Sequence, residues 1–191
     1  MMGRVGWVRW VCLVVLCGSV GVVWGAVGDG IAFARQDNIW YIEDGVEIQL
    51  TNDATAMDRF PAWSRDGKKI AFVSIGRGAT TTPSIWTVEV ATGSVTLISD
   101  DGGNDDRPTW SPDGTQIAFH ATRGGGATRS IWAITLATGA LTPLTDDATD
   151  DLYPSWSPHG TRRSFNANRA ASDSTSTLHV ATLALTPLPP A

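Results

Sequence analysis

Cysteine is almost missing from this 191-residue chain, and the little there is lies in one place. Both cysteines, Cys12 and Cys17, fall within the first 26 residues. The rest of the chain therefore has no disulfide to stabilise it and no thiolate to act as a nucleophile, so packing must hold it together. Histidine is also scarce, and His120, His159 and His179 show none of the spacings typical of metal ligands.

Basic residues are outnumbered by acidic ones. The chain has 14 Lys and Arg against 19 Asp and Glu, for a formal net charge of −5. Without Arg4 and Arg9 the balance is 12 against 19, or −7. A negatively charged chain argues against a nucleic acid or an anionic membrane surface as the main partner. We therefore expect no nucleic-acid ligand.

The N-terminal segment has two arginines and no other charge before a long apolar run over residues 10–27. A basic start, an apolar stretch and small residues at Gly25 and Ala26 indicate a secretory signal peptide over residues 1–26. The alternative is an uncleaved anchor, since about 20 apolar residues can span a bilayer. We expect membrane attachment only in that second case, and otherwise a periplasmic or secreted domain.

Helical periodicity is also missing beyond this segment, and a repeat takes its place. Trp63, Trp110 and Trp156 are 47 and 46 residues apart, within the phrases PAWSRDG, PTWSPDG and PSWSPHG. A strand-like run ending in Phe follows each phrase. Self-similarity at this period indicates a repeat architecture. An acid also lies three residues before each proline: Asp58, Asp105 and Asp151.

The pattern of each unit predicts four short strands. A type I turn, with Ser first and Gly last, follows the Pro-x-Trp strand at residues 64–67 and 111–114. A β-branched run, a polar connection and a second β-branched run come next, and Thr-Gly at 92–93 and 138–139 turns the chain into the last strand. Short strands in units of this length predict the blades of an all-β propeller.

The domain over residues 27–191 opens with the same template without its first strand. Residues 31–53 contain IAF, IWYI and IQLTND in the expected order. This predicts one three-stranded blade followed by three four-stranded blades. The last unit is weaker, because His159 replaces the turn aspartate, Arg163 stands at an apolar core position, and the run at 176–184 lacks the Thr-Gly turn.

The phrase D-x-x-P-x-W-S-P-D-G-x-x-I-A-F occurs in two near-perfect copies and one decayed copy. It resembles the WD40-like β-propeller repeat of TolB-type proteins, over about residues 31–188. The resemblance implies that the Pro-x-Trp strand lies nearest the propeller axis and the last strand outermost. It also implies an exported bacterial protein, since such propellers serve as interaction domains of envelope systems and as the propeller part of prolyl-oligopeptidase-type serine peptidases.

The number of repeats departs from that family. TolB-type propellers have six blades, and here there are fewer than four complete ones, so we expect an incomplete or open propeller. Exposed strand edges and apolar faces seek partners. We therefore expect either self-association through open blade edges or a piece of a longer propeller. Arg163 and His159 would then belong to a decayed or edge blade, where charge is tolerated.

Repetition argues against a catalytic or metal site at the aspartates. Asp58, Asp105 and Asp151 are candidates for a metal ring or an acid pair. However, an acid needed once in every blade is more typical of one that binds local backbone donors, as aspartates before turns do. Asp66 and Asp113 are likewise predicted to be turn residues.

The acidic stretches 100–106 and 146–151 offer oxygen ligands for Ca²⁺ but lack the alternate spacing of a calcium loop, so we predict solvated loops. Gly124–Gly126 precedes no helix, which favours a loop over a phosphate site. The chain has no G-x-S-x-G, so the nucleophile elbow of the peptidases is missing. None of these motifs predicts chemistry.

The tryptophans could form an aromatic binding surface. Their recurrence in register favours packing between blades for Trp63, Trp110 and Trp156, and a strand position for Trp86 and Trp132. We therefore expect no catalytic, cofactor-binding or metal-binding residue. The interpretation is a non-enzymatic interaction module of the bacterial envelope, with two alternatives: the propeller fragment of a serine peptidase lacking its catalytic domain, and a glycan-binding propeller.

Overall fold

The structure is a computed structural model and describes residues 30–99, 101–123, 126–145, 150–160 and 163–167. Within these residues the chain forms antiparallel β-sheets and no helix, and accordingly none that is long and apolar enough to cross a membrane. The predicted signal peptide at 1–26 and the run at 176–184 lie outside the described residues.

The described strands fall into four sheets, here called blades 1 to 4 in chain order. Blade 1 contains β1 (Ile31–Arg35), β2 (Asn38–Glu43) and β3 (Val46–Gln49). Blade 2 contains β4 (Met57–Trp63), β5 (Lys69–Ile75), β6 (Ser84–Glu89) and β7 (Val95–Leu97). Blade 3 contains β8 (Asn104–Trp110), β9 (Gln116–Thr122), β10 (Ser130–Thr135) and β11 (Ala140–Pro143). The described part of blade 4 contains β12 (Asp151–Trp156) and β13 (Arg163–Ala167).

This topology confirms the predicted all-β propeller repeat. Blade 1 has three strands and lacks the first strand of the template, while blades 2 and 3 have all four in sequence order. The first strand of each later blade is its inner strand: β4 lies against β1 and β8, and β8 lies against β12. The described sheets do not close, so they form an open, partial propeller.

The predicted turns are present, including the one in the decayed repeat. The amide of Gly67 donates to the Ser64 carbonyl at 3.0 Å, and the amide of Gly160 donates to the Ser157 carbonyl at 2.9 Å. Both glycines have a φ near +70°, which favours residues without a Cβ. His159 therefore replaces the turn aspartate without loss of the turn.

The outer strands are connected to the blades by one repeated hydrogen bond. The hydroxyl of Thr51 accepts the amide N–H of Ile39 at 2.8 Å in blade 1. Ser99 accepts from Ile85 at 3.0 Å in blade 2, and Thr145 accepts from Ile131 at 2.9 Å in blade 3. A hydroxyl at this position satisfies a buried backbone donor where the sheet ladder ends.

The core lies between blades rather than inside any one of them. Trp63 of blade 2 packs edge-on against Tyr41 of blade 1, with 5.8 Å between ring centroids. Trp110 of blade 3 is buried, and its indole N–H donates to the Ala62 carbonyl of blade 2 at 3.0 Å. These contacts confirm the interpretation of both tryptophans as packing residues between blades. Trp86 and Trp132 lie on β6 and β10, as predicted.

Arg163 lies in blade 4, the decayed blade, as predicted, but it is buried there. Its guanidinium lies 4.0 Å from the centre of the Trp156 ring and donates to the Gln116 side-chain oxygen of blade 3 at 3.3 Å. Burial lowers the pKa of Arg163. The ring face and the amide oxygen offset part of the desolvation cost, so the charge is tolerated inside rather than at the surface.

Candidate functional site on the inner strands

The repeated aspartates are fully buried on the inner strands, at 0–1 % exposure. The amide of each donates to a carbonyl in the preceding blade: Asp58 to Asp37 at 3.0 Å, and Asp105 to Pro83 at 3.0 Å. Asp151 does the same, donating to the Arg129 carbonyl at 2.8 Å. These positions therefore hold neighbouring blades together.

The carboxylate partners of Asp58 differ from the prediction. Its oxygens accept from the Ser74 hydroxyl at 2.6 Å and from the Arg77 guanidinium at 2.5 Å. The expected backbone donors are therefore replaced by side chains of the same blade. The structural interpretation of Asp58 is confirmed, but it lies inside a strand rather than before a turn.

Blade 3 repeats this arrangement with one different donor. Asp105 accepts from the Arg123 guanidinium at 2.6 Å and from the hydroxyl of Ser99, which belongs to blade 2. Arg123 also pairs with Asp101. The Asp58 and Asp105 carboxylates thus each bind the guanidinium of an arginine in their own blade, which is a structural role. Among the described residues, no group of three or more His, Cys, Asp or Glu is placed to hold a metal ion.

The other acidic candidates also have local partners. Asp66 accepts from Ser64 at 2.7 Å and Asp113 accepts from Ser111 at 2.6 Å, which confirms both as turn residues. Asp150 accepts the amide N–H of Arg129 at 2.8 Å. Asp100, residues 146–149, Gly124, Gly125 and His179 lie outside the described residues, and His159 is exposed in its turn.

Sequence reasoning missed the residue before each repeat proline. Phe60, Arg107 and Tyr153 have positive φ angles of 54°, 56° and 55°. Each lies in a β-bulge, where the pairing register with the next strand shifts. A non-glycine residue in this conformation is uncommon and costs about 1–3 kcal/mol, and such strain concentrates at functional sites. The only signal in the sequence is a bulky residue before each proline.

The three bulge residues form one stack, here called the axial column. The guanidinium carbon of Arg107 lies 3.7 Å from the centre of the Phe60 ring and 5.2 Å from the centre of the Tyr153 ring. The stack thus contains one residue from each of blades 2, 3 and 4. It reaches solvent, because the Arg107 side chain is 40 % exposed and Tyr153 is 48 % exposed.

A buried histidine supports the column from behind. The Nδ1 atom of His120 accepts the amide N–H of Tyr153 at 3.3 Å, and the two rings meet edge-on at 5.7 Å. Burial, with Arg129 and Arg107 nearby, lowers the pKa of His120 to about 4. The imidazole is therefore neutral at pH 7 and carries its hydrogen on Nε2, which faces the Asp106 carboxylate at 3.7 Å.

A polar groove of about 520 Å³ lies mainly on blade 3 and includes Asp106, the residue before Arg107. Its charged side chains are Asp106, Arg129 and Asp150, and Asn104 and Thr122 add neutral polar groups. Burial raises the pKa of Asp106, and the neighbouring Arg107 opposes that shift. The column and groove together offer stacked aromatic rings, one exposed guanidinium and charges of both signs. Aromatic and arginine side chains of this kind are suited to contact with another molecular surface.

Antiparallel four-stranded sheets that repeat around adjacent inner strands define the chain as a β-propeller, open over the described residues. The family described as the TolB beta propeller domain matches residues 39–179, and the chain belongs to this family. A search of curated protein sequences found no match.

Solved structures share the fold. A putative TolB from Agrobacterium tumefaciens is 23 % identical with a TM-score of 0.63, and the match covers 75 % of this chain and 52 % of that one. TolB from Acinetobacter baumannii is 21 % identical with a TM-score of 0.69, covering 80 % of this chain and 38 % of that one. Dipeptidyl peptidase 4 from Porphyromonas gingivalis is 15 % identical with a TM-score of 0.58, covering 79 % and 29 %. The chain thus spans about half or less of the TolB structures it matches.

Proposed function

We propose that this chain is an exported, non-enzymatic propeller that binds a partner protein in the bacterial cell envelope, and that the axial column is its contact surface. The column carries the proposal. Aromatic and arginine side chains are the types that dominate binding energy at protein interfaces. Here two rings and a guanidinium are held together at partly exposed positions by strained backbone in three successive blades.

The fixed arrangement of the axial column before binding favours a role in recognition over a purely structural one. Arg107 is fixed between two rings before any partner arrives, so little side-chain entropy remains to be lost on binding. The matching partner surface would offer a carboxylate to the guanidinium and apolar groups to the rings. Export is supported by the basic and apolar pattern of residues 1–26, and an envelope role by the similarity to two bacterial TolB structures.

The test is site-specific photo-cross-linking in cells that naturally express the chain. A photoreactive residue at Tyr153 should give a discrete cross-linked product, because this side chain lies at the exposed end of the column. The same residue at Val46, which is exposed on the outer strand of blade 1, is the control and should not. Arg107→Glu should abolish the Tyr153 product, whereas Lys69→Glu, at an exposed ion pair with Glu89 outside the column, should leave it unchanged. Equal labelling from both sites would contradict the proposal.

The propeller part of a serine peptidase is the second candidate, favoured by the fold similarity to Porphyromonas gingivalis dipeptidyl peptidase 4. One measurement separates it from the first. Because the chain has no G-x-S-x-G, the peptidase interpretation needs a catalytic domain encoded next to it. Sequencing of the flanking DNA should reveal no α/β-hydrolase reading frame. Such a frame would favour the peptidase.

A further inference from the structure

The inner edge of blade 1 has no strand on it among the described residues. By alignment of the repeated IAF, Ile31 corresponds to Ile70 and Phe33 to Phe72, so β1 is the equivalent of β5. In blade 2, β4 covers the inner edge of β5. In blade 1, β1 pairs with β2 alone in the part of the chain that the structure describes.

The residues of β1 are those of a covered strand. Ala32, Phe33 and Ala34 are all buried. Strands that face water at a sheet edge are usually protected by a lysine, a proline or a bulge, and the run IAFA has none of these. A flat apolar edge of this kind is a template for the addition of another strand.

Arg35, at the end of β1, defines the register of that strand. In blade 2 the residue opposite Asp58 is Ser74, and in blade 3 the residue opposite Asp105 is Ala121. Arg35 is the blade-1 equivalent of Ser74 and Ala121 by the same alignment. A strand added in the register of the other blades would place its acid directly opposite Arg35, where opposite charges attract.

Arg35 is also stacked in the same way as the arginines that hold inner-strand aspartates. The guanidinium of Arg123 lies 5.1 Å from the Trp132 ring, and that of Arg35 lies 4.2 Å from Trp40, the equivalent tryptophan. Arg77 stacks on Trp86 likewise, at 5.8 Å. Three arginines thus rest on equivalent rings, and two of them bind the aspartate of an inner strand.

The third arginine has a weaker partner. Arg35 pairs with Glu47 of β3 at 2.7 Å, with both side chains exposed at 41 % and 46 %. Solvent screens such a surface pair, which contributes little to stability. An acid arriving on the inner side can therefore displace Glu47 at small cost.

We propose that the inner edge of blade 1 binds an extended segment of a partner protein that carries an acidic residue three positions before a proline and an aromatic residue two positions after it. The main chain of the segment pairs with β1, its acid binds Arg35, and its aromatic residue lies opposite Ile31. This proposal rests on the unpaired edge of β1 and not on the axial column, and the peptide test does not depend on the cross-linking test.

The competing occupant is the N-terminal segment of this chain. Trp24 stands seven residues before Ile31, as Trp63 stands seven before Ile70. At the place of the repeated aspartate, however, that segment has Ser19, and Val22 occupies the place of the proline. It lacks the acid that Arg35 would bind, which favours a partner strand.

The probe is a synthetic peptide copying residues 102–112, GGNDDRPTWSP, titrated by calorimetry into the full chain. One peptide should bind per chain, and hydrogen exchange should show new protection of the β1 amides. Replacing the first aspartate of the peptide by Asn, or Arg35→Gln in the protein, should weaken binding about tenfold, the effect of one charge-assisted hydrogen bond. Arg59→Gln is the matched control, since Arg59 forms an equally exposed ion pair with Asp37.

A charge swap separates recognition from folding defects. The Arg35→Glu variant should no longer bind the original peptide. It should instead bind a peptide that has Lys in place of the first aspartate. Four results would overturn the proposal. The first two are no binding at 1 mM peptide, and binding without protection of the β1 amides from hydrogen exchange. The third is protection of these amides in the chain without peptide, and the fourth is protection that rises with the concentration of the chain. The third would assign the edge to another segment of this chain, and the fourth to a second copy.

Discussion

The indole N–H of Trp110 donates to the carbonyl oxygen of Ala62 at 3.0 Å, across the boundary between blades 3 and 2. Trp110→Ala should lower the free energy of unfolding by about 3–5 kcal/mol, because it removes a large buried ring between two blades. Trp110→Phe should cost less, about 1–3 kcal/mol, since it keeps most of the packing and leaves the Ala62 carbonyl without this donor. Urea denaturation measures both. Equal stability of Trp110→Ala and the wild type would show that the blades do not depend on this contact.

The ion pair between Asp58 and Arg77 is buried, so breaking one side should cost more than replacing both. Arg77→Met should destabilise the domain by about 3–5 kcal/mol, because it leaves the Asp58 carboxylate buried without its cation. The double change Asp58→Leu with Arg77→Met should recover part of that loss. Chemical denaturation of the two single variants and the double variant tests this, and strictly additive losses would contradict it.

Strain at the axial column can be measured with one pair of variants. Tyr153→Gly and Tyr153→Ala remove the same ring, but only glycine adopts a φ of 55° without a Cβ penalty. Tyr153→Gly should therefore be the more stable of the two by about 1 kcal/mol, the reverse of the order expected in an ordinary strand. Thermal denaturation of the two variants measures this order of stability. The same two substitutions at the exposed strand residue Val46 are the control.

His120 should make the domain less stable in weak acid. Its pKa in the folded chain is about 4, below its ordinary value of 6.5, so protons bind the unfolded chain first. The stabilisation is complete above pH 6.5 and is lost progressively as the pH falls towards and below 4, by about 3 kcal/mol in total. The difference in unfolding free energy between wild type and His120→Gln should shrink over this range. The exposed His159→Gln should follow the wild type, and an unchanged difference for His120→Gln would contradict the assignment.

Local signals were enough to predict most of the fold. The Ser-to-Gly turns form even where His159 replaces the aspartate, because the hydrogen bond of the turn joins backbone atoms and the glycine supplies the positive φ. Blade 1 was predicted with three strands because IAF and IWYI keep their spacing. Such features depend on residues within about ten positions of one another, which a sequence displays directly.

Contacts between distant residues were harder to predict. Arg77 binds Asp58 from 19 positions away, in a connection whose sequence differs from that of the next blade. Arg163 looked costly inside the sheet, yet it is buried on Trp156 and bonded to Gln116 of another blade. Neither partner can be recognised from the repeat, because both depend on how neighbouring elements pack.

The sequence by itself determined the four-stranded unit, its turns and the number of strands in the first blade, since hydrophobic period and turn chemistry act over short range. Tertiary structure decided which side chains of the inner strands lie together and which partners they have. Only the stacking of successive blades brings Phe60, Arg107 and Tyr153 together from positions 47 and 46 residues apart. Only the absence of an inner strand beside β1, in the described part of the chain, leaves Arg35 with Glu47 in place of an aspartate. Both follow from packing between repeats, which no single repeat encodes.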